Sequence, residues 1–303
     1  MRSHLFALSA ILALVAGVAL ADETPAAPRV VVVGVDAKTL EALGPWGGRY
    51  RPHHPKLIEQ LNKAGVRGIA FDVYLPENPD FAAATREIAR ATRMSKAPVV
   101  IARASDEANA AVLTTAKVNE GSVSVTRALD IKEVDGGLEA TVIDMAMPAN
   151  ENGLRPLGVE LAIRSNVLTA AQADALAETL TVGYQKGAPV TLKGYRPRSG
   201  DPANVTTVSY LDVLRGKVDP KVLEDALVFV GMTDGTNDIH PHPVTGADTS
   251  GVYFHAFAMQ RFVAVAEEAR KKAEAAKKAE AAAAGGLDPS LTPGIRGRLA
   301  QTK

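Results

Sequence analysis

The stretch TDGTNDIHPHPVTG (233–246) concentrates residue types that bind ligands or metals. It holds the carboxylates of Asp234 and Asp238 and the imidazoles of His240 and His242. Prolines alternate with the two histidines and favour a fixed, extended loop over a chelating turn. A zinc site needs three or four converging ligands, and this spacing provides no convergence. The stretch is therefore predicted to form the wall of a ligand cleft, and no metal site is assigned.

Two further aspartates accompany apolar runs that are typical of buried strands. Asp36 comes directly after VVVVGV, and Asp72 lies within GIAFDVYL. Ligands of a parallel sheet bind beyond the carboxyl ends of its strands, so these carboxylates would share one cleft with the stretch 233–246 if their strands are neighbours. The resulting hypothesis is a site for a cation, an amine or a polyhydroxyl ligand, with Arg51 as its counter-charge. The candidate ligand-binding residues are Asp36, Arg51, Asp72, Asp234, Asp238 and His240.

Each carboxylate also has a local interpretation that involves no ligand. Asp36 would be the N-cap of a helix at 37–43, and Asp234 would begin a turn. Asp72 cannot cap a helix from inside a strand, and a buried carboxylate needs a partner. A structural salt bridge, for example to Arg51, is therefore the alternative to a role of Asp72 in a site.

The sequence contains no recognisable arrangement for catalysis, and no cofactor is expected. Cysteine is absent, which excludes disulfides, thiolate metal sites and cysteine nucleophiles. There is no G-x-S-x-G turn and no phosphate-binding glycine loop. A metal-assisted hydrolase that uses Asp36, Asp72 and Asp238 stays a third alternative. The balance of 34 basic and 34 acidic residues gives no support for nucleic-acid binding.

The N-terminus has the pattern of an export signal. Met1-Arg2 precedes the apolar run LFALSAILALVAGVALA, which ends in small residues before Asp22. This run is near the lower length limit for a membrane span, so an uncleaved N-terminal anchor is the alternative. In both cases the folded part is expected in the periplasm or another extracytoplasmic compartment.

Strands alternate with short amphipathic helices from Arg29 onward, which predicts an α/β fold with a mainly parallel sheet flanked by helices. The middle is less regular and is treated as an insertion. GVYFHAFAMQRFV (251–263) is predicted to be a helix with Phe254, Phe257, Ala258 and Phe262 inward, and its His255 is expected to be a hydrogen-bonded core residue. A solvated Ala/Lys/Glu helix follows. The predicted segments are a signal or anchor at 1–21, a linker at 22–28, one domain at 29–263, the Ala/Lys/Glu-rich helix at 264–284 and a disordered tail at 285–303.

Several of these pieces together resemble the type-2 CHASE domain. The resemblance rests on VVVVGVDAKTLEALGPW, on Arg51 shortly before the first amphipathic helix, and on LNKAGVRGIAFDVYLPENPDF. The GLRP turn at 153–156, the run TVSYLDVLRGKVDPKVLEDALVFVGMTDGTNDIHPHPV and GVYFHAF fit the later blocks. The resemblance covers about Arg29 to about Phe262. It depends on the order and spacing of the blocks, since no single motif is specific.

The resemblance implies an extracellular sensory domain of the kind attached to bacterial cyclases and kinases. Such proteins usually continue into three membrane helices and an output domain, whereas here the Ala/Lys/Glu helix stands at that place. The expected function is therefore an extracytoplasmic sensory or ligand-binding protein without its own transmitter, which meets a small ligand or an envelope sensor protein. A structural dimerisation or partner-docking module, including a homodimer, is the alternative.

Overall fold

The computed structural model of the chain describes residues 27–103, 109–122, 129–134, 137–142, 154–174, 205–241 and 248–285. Residues 27–263 form one compact unit, and the described residues 264–285 belong to a second. The predicted export signal, His242 and the tail beyond Gly285 lie outside the described residues. The predicted segment boundaries at both ends of the chain therefore stay predictions.

Strands and helices alternate along the described chain, as the sequence predicts. The strands are β1 (Val30–Val35), β2 (Gly68–Phe71), β3 (Val99–Arg103), β4 (Asn119–Ser122), β5 (Leu129–Val134), β6 (Gly137–Val142), β7 (Thr206–Ser209), β8 (Leu227–Met232), β9 (Ile239–Pro241) and β10 (Asp248–Ser250). The helices are α1 (Ala37–Leu43), α2 (His54–Lys63), α3 (Ala82–Met94), α4 (Ala111–Thr115), α5 (Leu157–Arg164), α6 (Tyr210–Leu214), α7 (Pro220–Leu223) and α8 (Gly251–Gly285).

Six strands form one sheet in the order β4-β3-β2-β8-β1-β7, and every neighbouring pair in it is parallel. The predicted α/β fold with a mainly parallel sheet is thereby confirmed. Although β8 comes last of the six in the chain, it lies between β1 and β2. Two antiparallel pairs, β5 with β6 and β9 with β10, stand outside this sheet.

The central strands are buried on both faces, which explains their continuous apolar sequences. All six residues of β1 and all six of β8 are buried. On one face, alternate residues of β1 such as Val31 and Val33 join a core with Leu57 of α2 and Ile88 of α3. The other face carries Phe229, whose ring stacks on His255 of α8. Helices therefore cover both sides of the sheet.

Three local predictions need correction. The strand GIAFDVYL ends at Phe71, because the chain then leaves the sheet and the Leu75 N–H donates to the Asn109 side chain. β7 was not predicted, since its four residues TTVS form a partly exposed edge strand. The predicted loop at 233–246 contains β9, which pairs with β10 in front of α8.

The predicted helix at 251–263 is confirmed, and Phe254, Phe257 and Phe262 are buried as expected. Ala258 is only half-buried, whereas Met259 is fully buried. The predicted Ala/Lys/Glu helix is a continuation of the same helix, which spans 35 residues from Gly251 to Gly285. Within the described part of the chain, no helix is both long enough and apolar enough to cross a membrane.

Candidate functional site

The carboxyl end of β8 is the point where connections leave the sheet toward opposite faces. The chain leaves β1 and β2, the neighbours of β8, toward the face covered by α2 and α3. After β8 it reaches α8 on the other face, where Val252 lies against Gly231 and His255 against Phe229. A crevice at such a switch point is the usual ligand site of an open parallel sheet. The carboxyl end of β8 is therefore the candidate site.

Three predicted site residues follow these adjacent strands. Asp36 comes after β1, Asp72 after β2, and Asp234 shortly after β8. The sheet order places the three strand ends side by side. The sequence alone did not show whether these strands are neighbours. The three carboxylates nevertheless bond to different groups, so each is treated separately.

Asp36 caps helix α1, and the local interpretation of this residue is confirmed. Its carboxylate accepts hydrogen bonds from the Thr39 N–H at 2.9 Å and the Thr39 hydroxyl at 2.6 Å. The Ser209 hydroxyl of β7 donates to the same oxygen at 3.1 Å. The carboxylate thus joins α1 to the edge strand β7, and these bonds account for its position at the strand end.

Replacing Asp36 by alanine is expected to lower the free energy of unfolding by about 1–2 kcal/mol, the cost of losing an N-cap. Asp36→Asn keeps an acceptor for the Thr39 N–H, so it should lower the free energy of unfolding by only a few tenths of a kcal/mol. Urea unfolding followed by circular dichroism measures both values. Equal losses in the two variants would show that the cap bond does not stabilise α1.

Arg51 does not pair with Asp72, and this predicted salt bridge is wrong. The Arg51 side chain is buried and donates to the Thr85 hydroxyl at 2.9 Å and to the Pro76 carbonyl at 2.8 Å. Its guanidinium also lies 6.0 Å from the centre of the Phe81 ring. Burial lowers the pKa of Arg51, and Glu77 partly offsets this effect. Arg51 therefore anchors the segment after β2 and is not the counter-charge of the proposed cleft.

Asp72 lies instead beside His255, on the face of the sheet that α8 covers. Asp72 Oδ1 is 3.6 Å from His255 Nε2, and the two side chains are 8% and 5% exposed. Neither Asp72 Oδ2 nor His255 Nε2 has a hydrogen-bond partner among the described residues. Because buried polar groups are nearly always hydrogen-bonded, the unpartnered atoms of this pair are the feature of the candidate site that needs an explanation.

The glycine of β8 allows α8 to approach this pair closely. A Cβ atom added at Gly231 would lie 2.7 Å from the Val252 Cβ and 3.3 Å from the Asp72 Cβ. Its register neighbour in β1 is Gly34, and the Thr233 side chain occupies the space where a Gly34 side chain would stand. The first turn of α8 therefore contacts the sheet without an intervening side chain.

The two acids of the predicted loop have mainly local contacts. Asp234 begins the turn predicted for it, and its carboxylate accepts from the Asn237 side chain at 2.9 Å and from the Thr236 hydroxyl. Burial raises the pKa of Asp234, but the hydrogen bonds from Thr236 and Asn237 outweigh it and hold the pKa below the usual value. The Asp238 carbonyl accepts the Gly251 N–H at 2.8 Å, and its carboxylate lies against Gly251 at the start of α8.

His240 lies in β9, in register with Thr249 of β10, so the stretch that was predicted to be a loop is partly a hairpin. Among the residues that the structure describes, no group of three potential ligands is placed to hold a metal ion. His255 was predicted to be a hydrogen-bonded core residue. It is buried as expected, but its Nε2 has no hydrogen-bond partner among the described residues, and its closeness to Asp72 was not predicted. The signal that could have predicted this contact is the alternation of side chains along β2. It puts Asp72 on the same face of the sheet as Ala70 and Gly68, which is the face that α8 covers.

The sequence profile of the CHASE2 domain family matches residues 5–285. This match is wider than the range from Arg29 to Phe262 that the sequence blocks indicate, because it also includes the apolar N-terminal run and the whole of α8. No curated protein and no solved structure matches the chain. CHASE2 domains are extracellular sensory domains. With nearly its whole length matched, the chain belongs to the CHASE2 family of sensory domains.

Proposed function

We propose that this protein is an extracytoplasmic ligand-binding sensory protein that acts in envelope signal transduction. The ligand binds at the carboxyl end of β8, and the response passes into the first turns of α8. The observation that supports this proposal is the buried pair of Asp72 and His255, which joins the sheet edge to α8 and leaves polar atoms without partners among the described residues.

A ligand with hydrogen-bond donors matches this pair best. Asp72 Oδ2 is a buried acceptor that has no partner among the described residues, and leaving such a group without a partner costs free energy that a donor from a ligand recovers. Asp234 and Asp238 add negative charge near the same strand end, while Arg51 is engaged elsewhere. An amine or a polyhydroxyl compound is therefore the proposed ligand class.

The response has a short path into α8. His255 belongs to the second turn of that helix, and Val252 of the first turn lies directly against Gly231. A ligand that draws Asp72 away from His255, or inserts between them, changes the packing of both turns. The chain continues from this segment into residues 264–285 without a break in the helix, so the first turns of α8 are the proposed input to the downstream partner.

Thermal-shift screening with amines, amino sugars, polyols and divalent cations tests the proposal. A ligand at about 100 times its Kd stabilises the folded state by about 2.7 kcal/mol, which raises the Tm of a domain of this size by about 5–10 °C. We expect Asp72→Asn to abolish this shift. Asp80→Asn makes the same change at an exposed residue that is not part of the candidate site, so it should keep the shift.

The position of the response is measured by hydrogen exchange of residues 251–263 with and without the ligand. Slower exchange there, lost in Asp72→Asn, supports transmission through α8. An unchanged shift in Asp72→Asn would place the ligand elsewhere. If no compound stabilises the chain and the chain forms a stable dimer, the structural dimerisation alternative replaces this proposal.

A further inference from the structure

A second groove lies at the opposite edge of the sheet, at the amino ends of β3 and β4. Its volume is ≈ 340 Å³, and its walls come from the end of α3, the start of β3 and the residues that follow α4. Arg93, Lys96 and Lys117 contribute the charged side chains of this groove. We call it the basic groove.

The basic groove carries unbalanced positive charge. Among the described residues that line it there are three cations and no carboxylate. None of the three forms an ion pair with a carboxylate in the described part of the chain. The carboxyl ends of α3 and α4 offset some of this charge, by about half an elementary charge each. A net positive potential therefore remains in the groove.

The backbone that carries these cations is held in place before any ligand arrives. The Asn62 side-chain oxygen accepts the N–H groups of Lys96 at 2.9 Å and Ala97 at 3.1 Å. The Ser95 hydroxyl donates to the Ala97 carbonyl at 2.6 Å, and the Asn119 amide donates to the Val99 carbonyl at 3.1 Å. A pre-organised site loses less conformational freedom when it binds.

Thr92 and Lys117 also line this groove. The Thr92 hydroxyl is buried and has no hydrogen-bond partner among the described residues, although Thr92 lines the groove. Lys117 has a φ of 54°, in the left-handed region that favours glycine or asparagine. This conformation ends α4, because the Lys117 N–H donates to the Thr114 carbonyl at 3.0 Å and the Val118 N–H donates to the Leu113 carbonyl at 3.1 Å. The Lys117 side chain supplies the third cation of the groove.

We infer that the basic groove is a binding site for a phosphate-type oxyanion. The Arg93 guanidinium offers paired N–H donors that match phosphate oxygens, and the two lysines add point charges. This site lies at the amino edge of the sheet, so it is separate from the ligand crevice at the carboxyl end of β8.

Both a free phosphate and an anionic lipid headgroup carry such an oxyanion. The experiment therefore includes both sources.

The test uses the full chain and a groove variant, Lys96→Gln with Lys117→Gln. The control variant, Arg86→Gln with Lys217→Gln, removes the same charge from exposed positions outside the groove. One arm titrates inorganic phosphate by calorimetry, and the other measures co-sedimentation with phosphatidylglycerol or phosphatidylcholine vesicles. The apolar N-terminal run is present in all chains, so differences between variants report the groove.

We expect the wild type and the control variant to bind phosphate, phosphatidylglycerol or both, with affinity that falls as salt rises. The groove variant should bind at least about tenfold more weakly, because two charge-assisted contacts are lost. Phosphate binding identifies a free oxyanion, and vesicle binding without phosphate binding identifies a headgroup. No binding by the wild type, or equal binding by both variants, overturns the inference.

Discussion

Lowering the pH from about 7 to about 5 is expected to reduce the free energy of unfolding by about 2 kcal/mol through one imidazole, that of His54. His54 is fully buried, and its Nδ1 lies 3.0 Å from the Tyr210 hydroxyl. Burial, with smaller contributions from His53 and Arg51, lowers the pKa of His54 from 6.5 to about 3. The folded state therefore keeps the ring neutral, while the unfolded chain takes up a proton below pH 6.5. The stabilisation is complete above pH 6.5 and is lost as the pH falls toward 3.

Urea unfolding at a series of pH values measures this effect. His54→Gln removes the titrating ring and keeps a polar side chain next to Tyr210, so its stability should change much less over the same pH interval. His53→Gln is the matched control, because His53 is the neighbouring, only partly buried imidazole, and it should keep the wild-type slope. A wild-type slope in His54→Gln would assign the pH dependence to other groups.

Gly231→Ala is expected to lower the free energy of unfolding by about 1–3 kcal/mol, since overpacking a tight contact forces the neighbours apart. The new Cβ would lie 2.7 Å from the Val252 Cβ and 3.3 Å from the Asp72 Cβ. The helix must move away from the sheet at the point where Asp72 meets His255. We therefore expect faster hydrogen exchange in residues 251–263 as well as the loss of stability.

Gly158→Ala is the control for this substitution. Gly158 also faces α8, but from α5, and an added Cβ would lie 3.7 Å from the Phe262 ring and 3.8 Å from the His255 carbonyl. These are ordinary contacts, and alanine favours the helix by about 1 kcal/mol over glycine. Gly158→Ala should therefore keep or raise stability. If both alanines destabilise equally, close approach at Gly231 is not what holds α8 on the sheet.

Much of the local structure was predictable from residue patterns. The run Val30–Val35 consists of valines apart from Gly34, and such a run forms a strand buried on both faces. The spacing of Leu57, Ile58 and Leu61 predicts the buried face of α2, which the structure confirms. Asp36 before a helical pattern predicts an N-cap, and the capping bonds are present.

The candidate site was predictable only in part. The sequence places acids after β1, β2 and β8, and parallel strands bring these ends to one edge. Which groups the acids contact depends on side chains far away in the chain, such as Ser209 for Asp36 and His255 for Asp72. The predicted pairing of Arg51 with Asp72 is wrong because the Arg51 guanidinium donates to the Thr85 hydroxyl and to the Pro76 carbonyl in the segment after β2.

Most of the strands and helices, and the family, follow from the amino-acid sequence, because strand runs, amphipathic helices and caps arise from contacts between residues that are close in the chain. The folded chain, in contrast, places β8 between β1 and β2, Val252 against Gly231, and Asp72 beside His255. These contacts join segments that are far apart in sequence. Their free energy depends on how whole layers pack, and no local pattern of residues encodes that packing.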